Sequence, residues 1–170
     1  MPQVLAGAAG DVSGRRRVPA STWRTKQFLE YFHIKVIRMV EKQSGETHLV
    51  HHLKFTHWPD HGVPHSSDQL VRFIRYMRLV HSKGPVTVHC SAGIGRAGVL
   101  ICTDLILGLI DSDLPINVSD IVKEMRLQRH GMIQTKEQYL FCYKVWLEVL
   151  QGILQLHGNQ WQLESPKTPK

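Results

Sequence analysis

The sequence predicts an α/β fold in which a twisted, mixed sheet is flanked by helices. Three observations favour this class. Two early stretches alternate apolar and polar residues and are rich in β-branched side chains, which is typical of strands. Later stretches repeat apolar residues at helical spacing. A glycine-rich loop joins a short apolar run to one of these helical stretches, and the 170 residues correspond to about one domain.

The predicted strands follow a long leader. Residues 1–30 are rich in Gly, Ala, Ser and Arg, and we expect them to be disordered or to lie outside the domain. Residues 31–40 and 48–56 are predicted strands, and the glycine turn between them makes a hairpin. The domain is expected to cover residues 31–156, and residues 157–170 to form a loose tail.

Four helices are predicted from capping residues and apolar periodicity. Ser66 begins the first helix, whose apolar residues follow the i, i+3, i+4, i+7 spacing. A short buried strand, "PVTVH", and the glycine loop precede the second helix, which covers residues 96–110. Asn117 caps the third helix, and Thr135 caps the fourth with Gln138 three residues later.

Charge and cysteine content limit the class of protein. The net charge of +7 suits anionic partners such as nucleic acid, acidic membranes or phosphorylated ligands, and does not choose among them. No apolar run approaches the ~18 residues of a membrane span. Three cysteines without a secretory signal predict free thiols in a reducing compartment, so we expect a cytoplasmic protein, with Arg15–Arg17 as a weak nuclear or organelle-targeting signal. The 11 histidines show no zinc-ligand spacing with cysteine.

The glycine loop "VHCSAGIGRAG" (residues 88–98) is the most informative segment. Gly93, Gly95 and Gly98 match the dinucleotide pattern G-x-G-x-x-G after a strand and into a helix. That pattern also needs a second strand ending in an acid about 20 residues later. The sequence there, "DSDLPINVSD", is typical of a turn into a helix cap. A nucleotide P-loop is excluded as well, because no Gly-Lys-Ser/Thr follows.

Neither nucleotide pattern accounts for Cys90 and Arg96, which lie on either side of the glycine loop. A loop of this kind can point successive N–H groups inward and form an anion nest, to which the helix N-terminus adds its positive end. A cysteine there should ionise easily and attack a bound phosphate, whose oxygens the arginine can grip in pairs. The spacing therefore predicts phosphoryl transfer to a thiol. Cys102 and Cys142 lie on apolar helix faces, and we expect them to be buried small side chains.

Three motifs together resemble a known family. "VHCSAGIGRAG" closely resembles the signature of the classical protein tyrosine phosphatases. "WPDHGVP" (58–64) resembles their acid-bearing loop, and "QTKEQY" (134–139) their water-positioning glutamine motif. "MRLQRHGMIQT" also fits, and all motifs occur in the family's order. The resemblance covers about residues 31–155, and the non-receptor, cytosolic members look most similar.

The resemblance implies roles for the loop and its partners. Cys90 would attack phosphorus, and Arg96 would hold the phosphate. Asp60 would protonate the tyrosyl leaving group and then deprotonate water, which Gln134 would orient. The phosphate would bind against Ser91, Ala92, Gly93, Ile94, Gly95 and Arg96. The implied partners are phosphotyrosine proteins and not nucleic acid, and this chemistry uses no cofactor and no metal.

Three further residues have a functional and a structural interpretation. Trp58 would anchor the acid loop, or it is a core tryptophan. His89 would support a low pKa of the cysteine, or it is an ordinary hydrogen-bonded histidine. Gln138 would assist with water, or it serves only the capping box. For Asp60, "WPD" is also turn chemistry, and both interpretations can hold because catalytic acids often lie on loops.

Ala97 departs from the family pattern, which has serine or threonine directly after the signature arginine. That hydroxyl is thought to steady the departing thiolate when the cysteinyl-phosphate breaks down, and alanine offers no donor. Losing one oriented donor to a developing anion costs ~10²–10³ in rate. We expect the loss in the second step and not in substrate binding.

The chain is also short ahead of the acid. Only 59 residues precede Asp60, whereas family catalytic domains carry a longer part that includes the substrate-recognition loop. We therefore expect a carboxy-terminal part of a catalytic domain, with sheet edge and apolar surface exposed, from a fragment, a splice form or a decayed gene copy. Three hypotheses stay open: an impaired phosphotyrosine hydrolase, a pseudophosphatase that binds phosphotyrosine proteins or partners, and an unstable remnant.

Overall fold

The computed structural model describes residues 3–6, 21–59 and 62–163. The strands are β1 (Gln3–Ala6), β2 (Ser21–Phe28), β3 (Phe32–Val40), β4 (Thr47–Phe55) and β5 (Val86–His89). The helices are α1 (Ser67–Val80), α2 (Arg96–Asp111), α3 (Val118–Gln128) and α4 (Lys136–Leu163). None of the helices in this part of the chain is both long and apolar enough to cross a membrane.

One sheet contains all five described strands, in the order β2-β3-β4-β1-β5. Its pairings are all antiparallel. The predicted α/β class is confirmed, as is the hairpin of β3 and β4. The parallel pairing that a mixed sheet requires does not occur among the described strands. Consecutive strands joined by short turns pair antiparallel, since a parallel neighbour would need a long crossover.

Two terminal segments differ from the predictions. β1 and β2 are strands, so the disorder predicted for residues 1–30 is wrong for these two segments. β2 pairs with β3 from Ser21 to Phe28, which satisfies its backbone groups in a way that local composition could not show. α4 continues to Leu163, beyond the predicted start of the loose tail, because an established helix gains one hydrogen bond for each residue added. The domain boundaries remain a prediction.

β1 connects the strand of the glycine loop to the rest of the sheet. Its residue Leu5 lies opposite His52 of β4 on one side and opposite Thr87 of β5 on the other. Among the described strands, β5 has no other neighbour than β1. The position of the strand that precedes the candidate nucleophile thus depends on four residues at the start of the chain.

The core lies between the helices and one face of the sheet. Phe32 and Ile34 of β3 and Leu53 and Phe55 of β4 are buried at alternate positions, as strand geometry requires. Phe73 of α1 lies 5.4 Å, ring centre to ring centre, from both Phe32 and Phe55. The predicted apolar face of α1 is buried as well; its members are Leu70, Phe73, Ile74 and Met77.

The capping residues predicted from the sequence begin their helices. Ser66 accepts a hydrogen bond from the Asp68 N–H at 3.2 Å and caps α1. Asn117 accepts from two N–H groups at the start of α3. Thr135 accepts from the Gln138 N–H at 3.2 Å at the start of α4. α2 differs, because its first residue follows a glycine with no side-chain cap. Because no capping side chain accepts from the N–H groups at the start of α2, these groups can donate hydrogen bonds to a different acceptor.

Candidate active site

The Cys90 thiol lies half-buried directly after β5, at the mouth of the glycine loop. Burial by itself would raise the pKa of this thiol. Four backbone N–H groups outweigh burial and hold the pKa below its ordinary value, because they donate hydrogen bonds to the sulfur. The donors are Ala97, Gly93, Ile94 and Arg96. This is the arrangement of inward N–H groups that the glycine pattern predicted.

The other two thiols have the opposite environment. Cys102 and Cys142 are fully buried, as predicted. The pKa of Cys142 is raised far above its ordinary value, mainly by a hydrogen bond with the Cys102 thiol and secondly by burial. The Cys142 thiol also donates to the Gln138 carbonyl oxygen at 3.4 Å. These two cysteines lie in the core on α2 and α4, whereas Cys90 faces the N–H groups of the loop, so Cys90 alone among the cysteines has the character of a nucleophile.

The glycine loop combines exposed and buried residues. Ser91 and Ala92 are exposed, whereas Gly95 is buried at the start of α2. Ile94 turns its carbonyl away from the loop interior and accepts a hydrogen bond from the Ile133 N–H at 2.9 Å. Arg96 is half-buried and is the first residue of α2, whose N-terminus is the positive end of the helix dipole. Both the backbone N–H groups of the loop and the side chain of Arg96 can therefore bind an anion.

Gln134 and Gln138 both lie against the loop at Gly95. A Cβ atom added to Gly95 would lie 2.6 Å from Gln134 Oε1 and 3.1 Å from Gln138 Nε2. Gln138 Oε1 also accepts a hydrogen bond from the backbone N–H of Gln134 at 2.9 Å. The backbone N–H of Gln138 donates to the Thr135 hydroxyl at the start of α4. Gln138 thus takes part in the cap of α4 through its backbone N–H and also lies against the loop, and its role with water stays a prediction. A Cβ atom at position 95 would collide with the Gln134 side chain, so this close approach requires glycine.

Trp58 is a core residue that also contacts the loop expected to carry the acid. It is 3% exposed, and its ring packs against Phe55 and Phe141. Its Nε1 donates to the Gly62 carbonyl oxygen at 3.1 Å. Both interpretations of Trp58 are thus compatible with its contacts. Asp60 lies outside the described residues.

His89 is half-buried on the last position of β5. Its charge contributes to the lowered pKa of His52, after burial and the charge of Lys35. The imidazole therefore lies near His52 and Lys35 on the sheet, next to Cys90 in the chain. The supporting role that the sequence suggested for His89 stays a prediction.

Two arginines at the end of α3 contact the site and were given no role from the sequence. Arg129 Nη2 donates to the Ala92 carbonyl oxygen at 3.4 Å and lies above Gly93. Arg126 donates to the carbonyl oxygens of Met132 and Ile133, each at 2.9 Å. They fasten the glycine loop and the segment that leads to Gln134. The motif "MRLQRHGMIQT" was the signal that pointed to them.

Comparison with known proteins identifies the family. A family model described as protein-tyrosine phosphatase matches residues 12–148. The chain belongs to the protein-tyrosine phosphatase family. The match begins ahead of residue 31, so it includes part of the predicted leader. The predicted family is confirmed.

Proteins that are similar to this chain are much longer than it is. Tyrosine-protein phosphatase non-receptor type 20 of Homo sapiens is 52% identical over 130 residues, which cover 76% of this chain and 31% of that protein. Tyrosine-protein phosphatase non-receptor type 13 of Homo sapiens is 48% identical over 169 residues, covering 99% of this chain and 6% of that protein. The chain therefore spans less than a third of the length of these relatives.

A solved structure supports the fold. The crystal structure of the catalytic domain of human protein tyrosine phosphatase non-receptor type 18 superposes with a TM-score of 0.70 at 32% sequence identity. The superposition covers 76% of this chain and 48% of that chain. The chain is thus similar to part of a phosphatase catalytic domain.

Proposed function

We propose that this protein hydrolyses phosphotyrosine in proteins through a cysteinyl-phosphate intermediate, with a slow second step. The observation that carries the proposal is the Cys90 thiol within hydrogen-bond reach of four backbone N–H groups. The N–H groups that stabilise a thiolate also suit the oxygens of a bound phosphate. Membership of the protein-tyrosine phosphatase family supports tyrosyl phosphate as the substrate class.

In the first step, the Cys90 thiolate attacks phosphorus. The S–P bond forms as the bond between phosphorus and the tyrosyl oxygen breaks, and Asp60 gives its proton to that oxygen. The planar guanidinium of Arg96 donates hydrogen bonds to two phosphate oxygens and keeps them in the transition state. The products are free tyrosine side chain and phosphocysteine.

In the second step, water attacks phosphorus. Gln134 orients the water, and the carboxylate of Asp60 takes its proton as the O–P bond forms. The S–P bond breaks, which returns the thiolate and releases inorganic phosphate. Ala97 is fully buried and donates its backbone N–H to the sulfur, but it has no hydroxyl to add to that donor. We expect phosphocysteine breakdown to limit turnover for this reason.

Stopped-flow hydrolysis of 4-nitrophenyl phosphate tests the proposal. We expect a burst of nitrophenol of up to one equivalent, followed by slow turnover. Cys90→Ser should remove the burst, whereas Cys102→Ala, which alters a buried thiol away from the loop, should retain it. Steady turnover without a burst would contradict the slow second step, and an unchanged burst in Cys90→Ser would contradict the proposed nucleophile.

A second candidate function is phosphotyrosine binding without turnover. The observation that favours it is the anion loop itself, because its inward N–H groups can hold a phosphate whether or not the thiol reacts. Folded protein that shows neither burst nor turnover, but binds a phosphotyrosine peptide in calorimetry, would support this function. Arg96→Met should then abolish binding, since it removes the charge that holds the phosphate.

We further propose that the protein acts in the cytoplasm. Its three thiols are free, which is typical of proteins in reducing compartments. Fractionation of cells that express the tagged chain tests the location. Recovery in the secretory pathway would contradict it, and recovery in the nucleus would attribute a targeting role to Arg15–Arg17.

A further inference from the structure

The segment that follows Asp60 in the chain is tied to α4 by charged side chains. Residues 62–67, here called the post-acid segment, lead from the loop into α1. Lys144 Nζ donates to the His65 carbonyl oxygen at 2.9 Å, and the Ser67 hydroxyl donates to Glu148. Lys144 and Glu148 lie 3.7 Å apart on neighbouring turns of α4. One ion pair thus holds two successive points of the segment.

These contacts matter because apolar packing leaves the segment incompletely supported. A cavity of about 640 Å³ lies between it and α4, lined by Pro59, Val63, Pro64, Leu140 and Phe141 among others. Side chains that face a void lose contacts on that side, so packing holds them less firmly. Lys144 and His65 also line this cavity, and their hydrogen bond, together with the contact between Ser67 and Glu148, supplies the hold that packing does not.

The two contacts are chemically strong ones. A hydrogen bond from an ammonium group to a carbonyl oxygen is charge-assisted. Ser67 is only 2% exposed, so its hydroxyl needs an acceptor, which Glu148 provides. Ser67 is also the first residue of α1, where a negative charge is favoured by the helix dipole. At the other end, the Gly62 carbonyl oxygen accepts from the buried Trp58.

We propose that Lys144 and Glu148 are positioning residues that fix the post-acid segment and thereby the placement of the general acid. This inference rests on the proposed function, because it assigns Asp60 the role of acid. Lys144 acts through the backbone carbonyl of His65, five residues beyond Asp60, and Glu148 acts through the hydroxyl of Ser67, seven residues beyond it. A small displacement of a catalytic group is enough to slow a reaction strongly.

The dependence on leaving group separates this role from general destabilisation. Tyrosine, with a pKa of about 10, needs protonation as it departs, whereas nitrophenolate departs more easily without it. In Lys144→Met we expect the first step to slow by about 10-fold with a phosphotyrosine peptide and by less than about 2-fold with 4-nitrophenyl phosphate. Lys144→Arg keeps the charged donor and should restore the rate. Glu148→Gln keeps an acceptor for Ser67 but loses the ion pair, and should show a smaller effect with the same selectivity.

Lys123→Met is the matched control. Lys123 is another exposed helical lysine with an acidic partner on its own helix, far from the post-acid segment in the chain. Lys123→Met should leave the rate of the first step unchanged with both substrates. Equal slowing of both substrates in Lys144→Met, or no slowing of either, would overturn the proposal.

Amide hydrogen exchange reports the anchoring independently of activity. In Lys144→Met we expect faster exchange confined to residues 62–67, with Lys123→Met as the reference. If the parental protein shows no burst, the proposed function fails and exchange alone decides the anchoring. Unchanged exchange in Lys144→Met would then overturn the anchoring too, whereas faster exchange confined to the segment would support it.

Discussion

The loop that holds the thiol and the segment that follows the acid are held in different ways. Cys90 and the four N–H groups that lower its pKa all lie within residues 90–97. The post-acid segment instead depends on Lys144 and Glu148, which lie 79 and 81 residues from their partners. A nucleophile stabilised by its own chain neighbours can be identified from a short motif. An acid whose segment is held from a distant helix depends on correct packing.

The contrast is not complete, because the thiol loop also has long-range supports. β5 joins the sheet through β1, and Arg129 and Gln134 lie against the glycines. Four predictions separate local from long-range support.

The largest effect is expected from deleting residues 1–6. β4 and β5 would lose the strand between them, and their unpaired edges would favour aggregation. We expect loss of the cooperative melting transition in circular dichroism and loss of the selective reactivity of Cys90 toward iodoacetamide. Deletion of residues 164–170 serves as the control and should preserve both. A deleted protein that still melts cooperatively with a reactive Cys90 would show that the thiol loop needs no support from β1.

Ala97→Ser should raise steady-state turnover by about 10²-fold, because it returns a donor to the departing thiolate. The burst rate should stay nearly unchanged, since the first step does not use that donor. Stopped-flow traces with 4-nitrophenyl phosphate measure both phases. Ala97→Gly, which also lacks a hydroxyl, should leave turnover slow. A change of the burst rate alone would contradict this account of Ala97.

The lowered pKa of Cys90 predicts a pH dependence. A lowered pKa means that the thiolate persists at lower pH, so alkylation by iodoacetamide should reach half its maximal rate below the ordinary value of about 8.5. In urea the midpoint should return to that ordinary value. Vanadate should protect Cys90, and Cys102 and Cys142 should react only after unfolding. Equal labelling of all three thiols in the folded protein would rule out a formed nest.

The smallest effects compare one glycine from each region. Gly62 and Gly93 both have positive φ, at 79° and 75°, so alanine at either position should cost about 1–2 kcal/mol in free energy of unfolding. No described atom lies within 4 Å of a Cβ at Gly62, whereas Arg129 Nη2 lies at 3.1 Å from one at Gly93. Because both substitutions strain a backbone of positive φ, urea unfolding should show similar losses in free energy of unfolding for Gly62→Ala and Gly93→Ala. Only Gly93→Ala should also slow the alkylation of Cys90; the same slowing in Gly62→Ala would mean that the two regions are coupled.

Much of the fold follows from local patterns. The alternation in β3 and β4 and the caps at Ser66, Asn117 and Thr135 predicted elements that the structure contains. β1 and β2 were not predicted. Their composition resembles that of a disordered leader, and only pairing with β3, β4 and β5 gives their backbone groups partners.

The sequence by itself determined the family and the spacing of Cys90 and Arg96, and it predicted Cys90 as the nucleophile, because one short loop carries all of these features. It also determined that Ala97 lacks the usual hydroxyl. Only the tertiary structure decided which other distant groups lie against these segments: Arg129 against Gly93, β1 beside β5, and Lys144 with Glu148 against the post-acid segment. The physical reason is range. Hydrogen bonds within a turn are set by local backbone angles, whereas contacts between elements exist only after the core has placed those elements side by side.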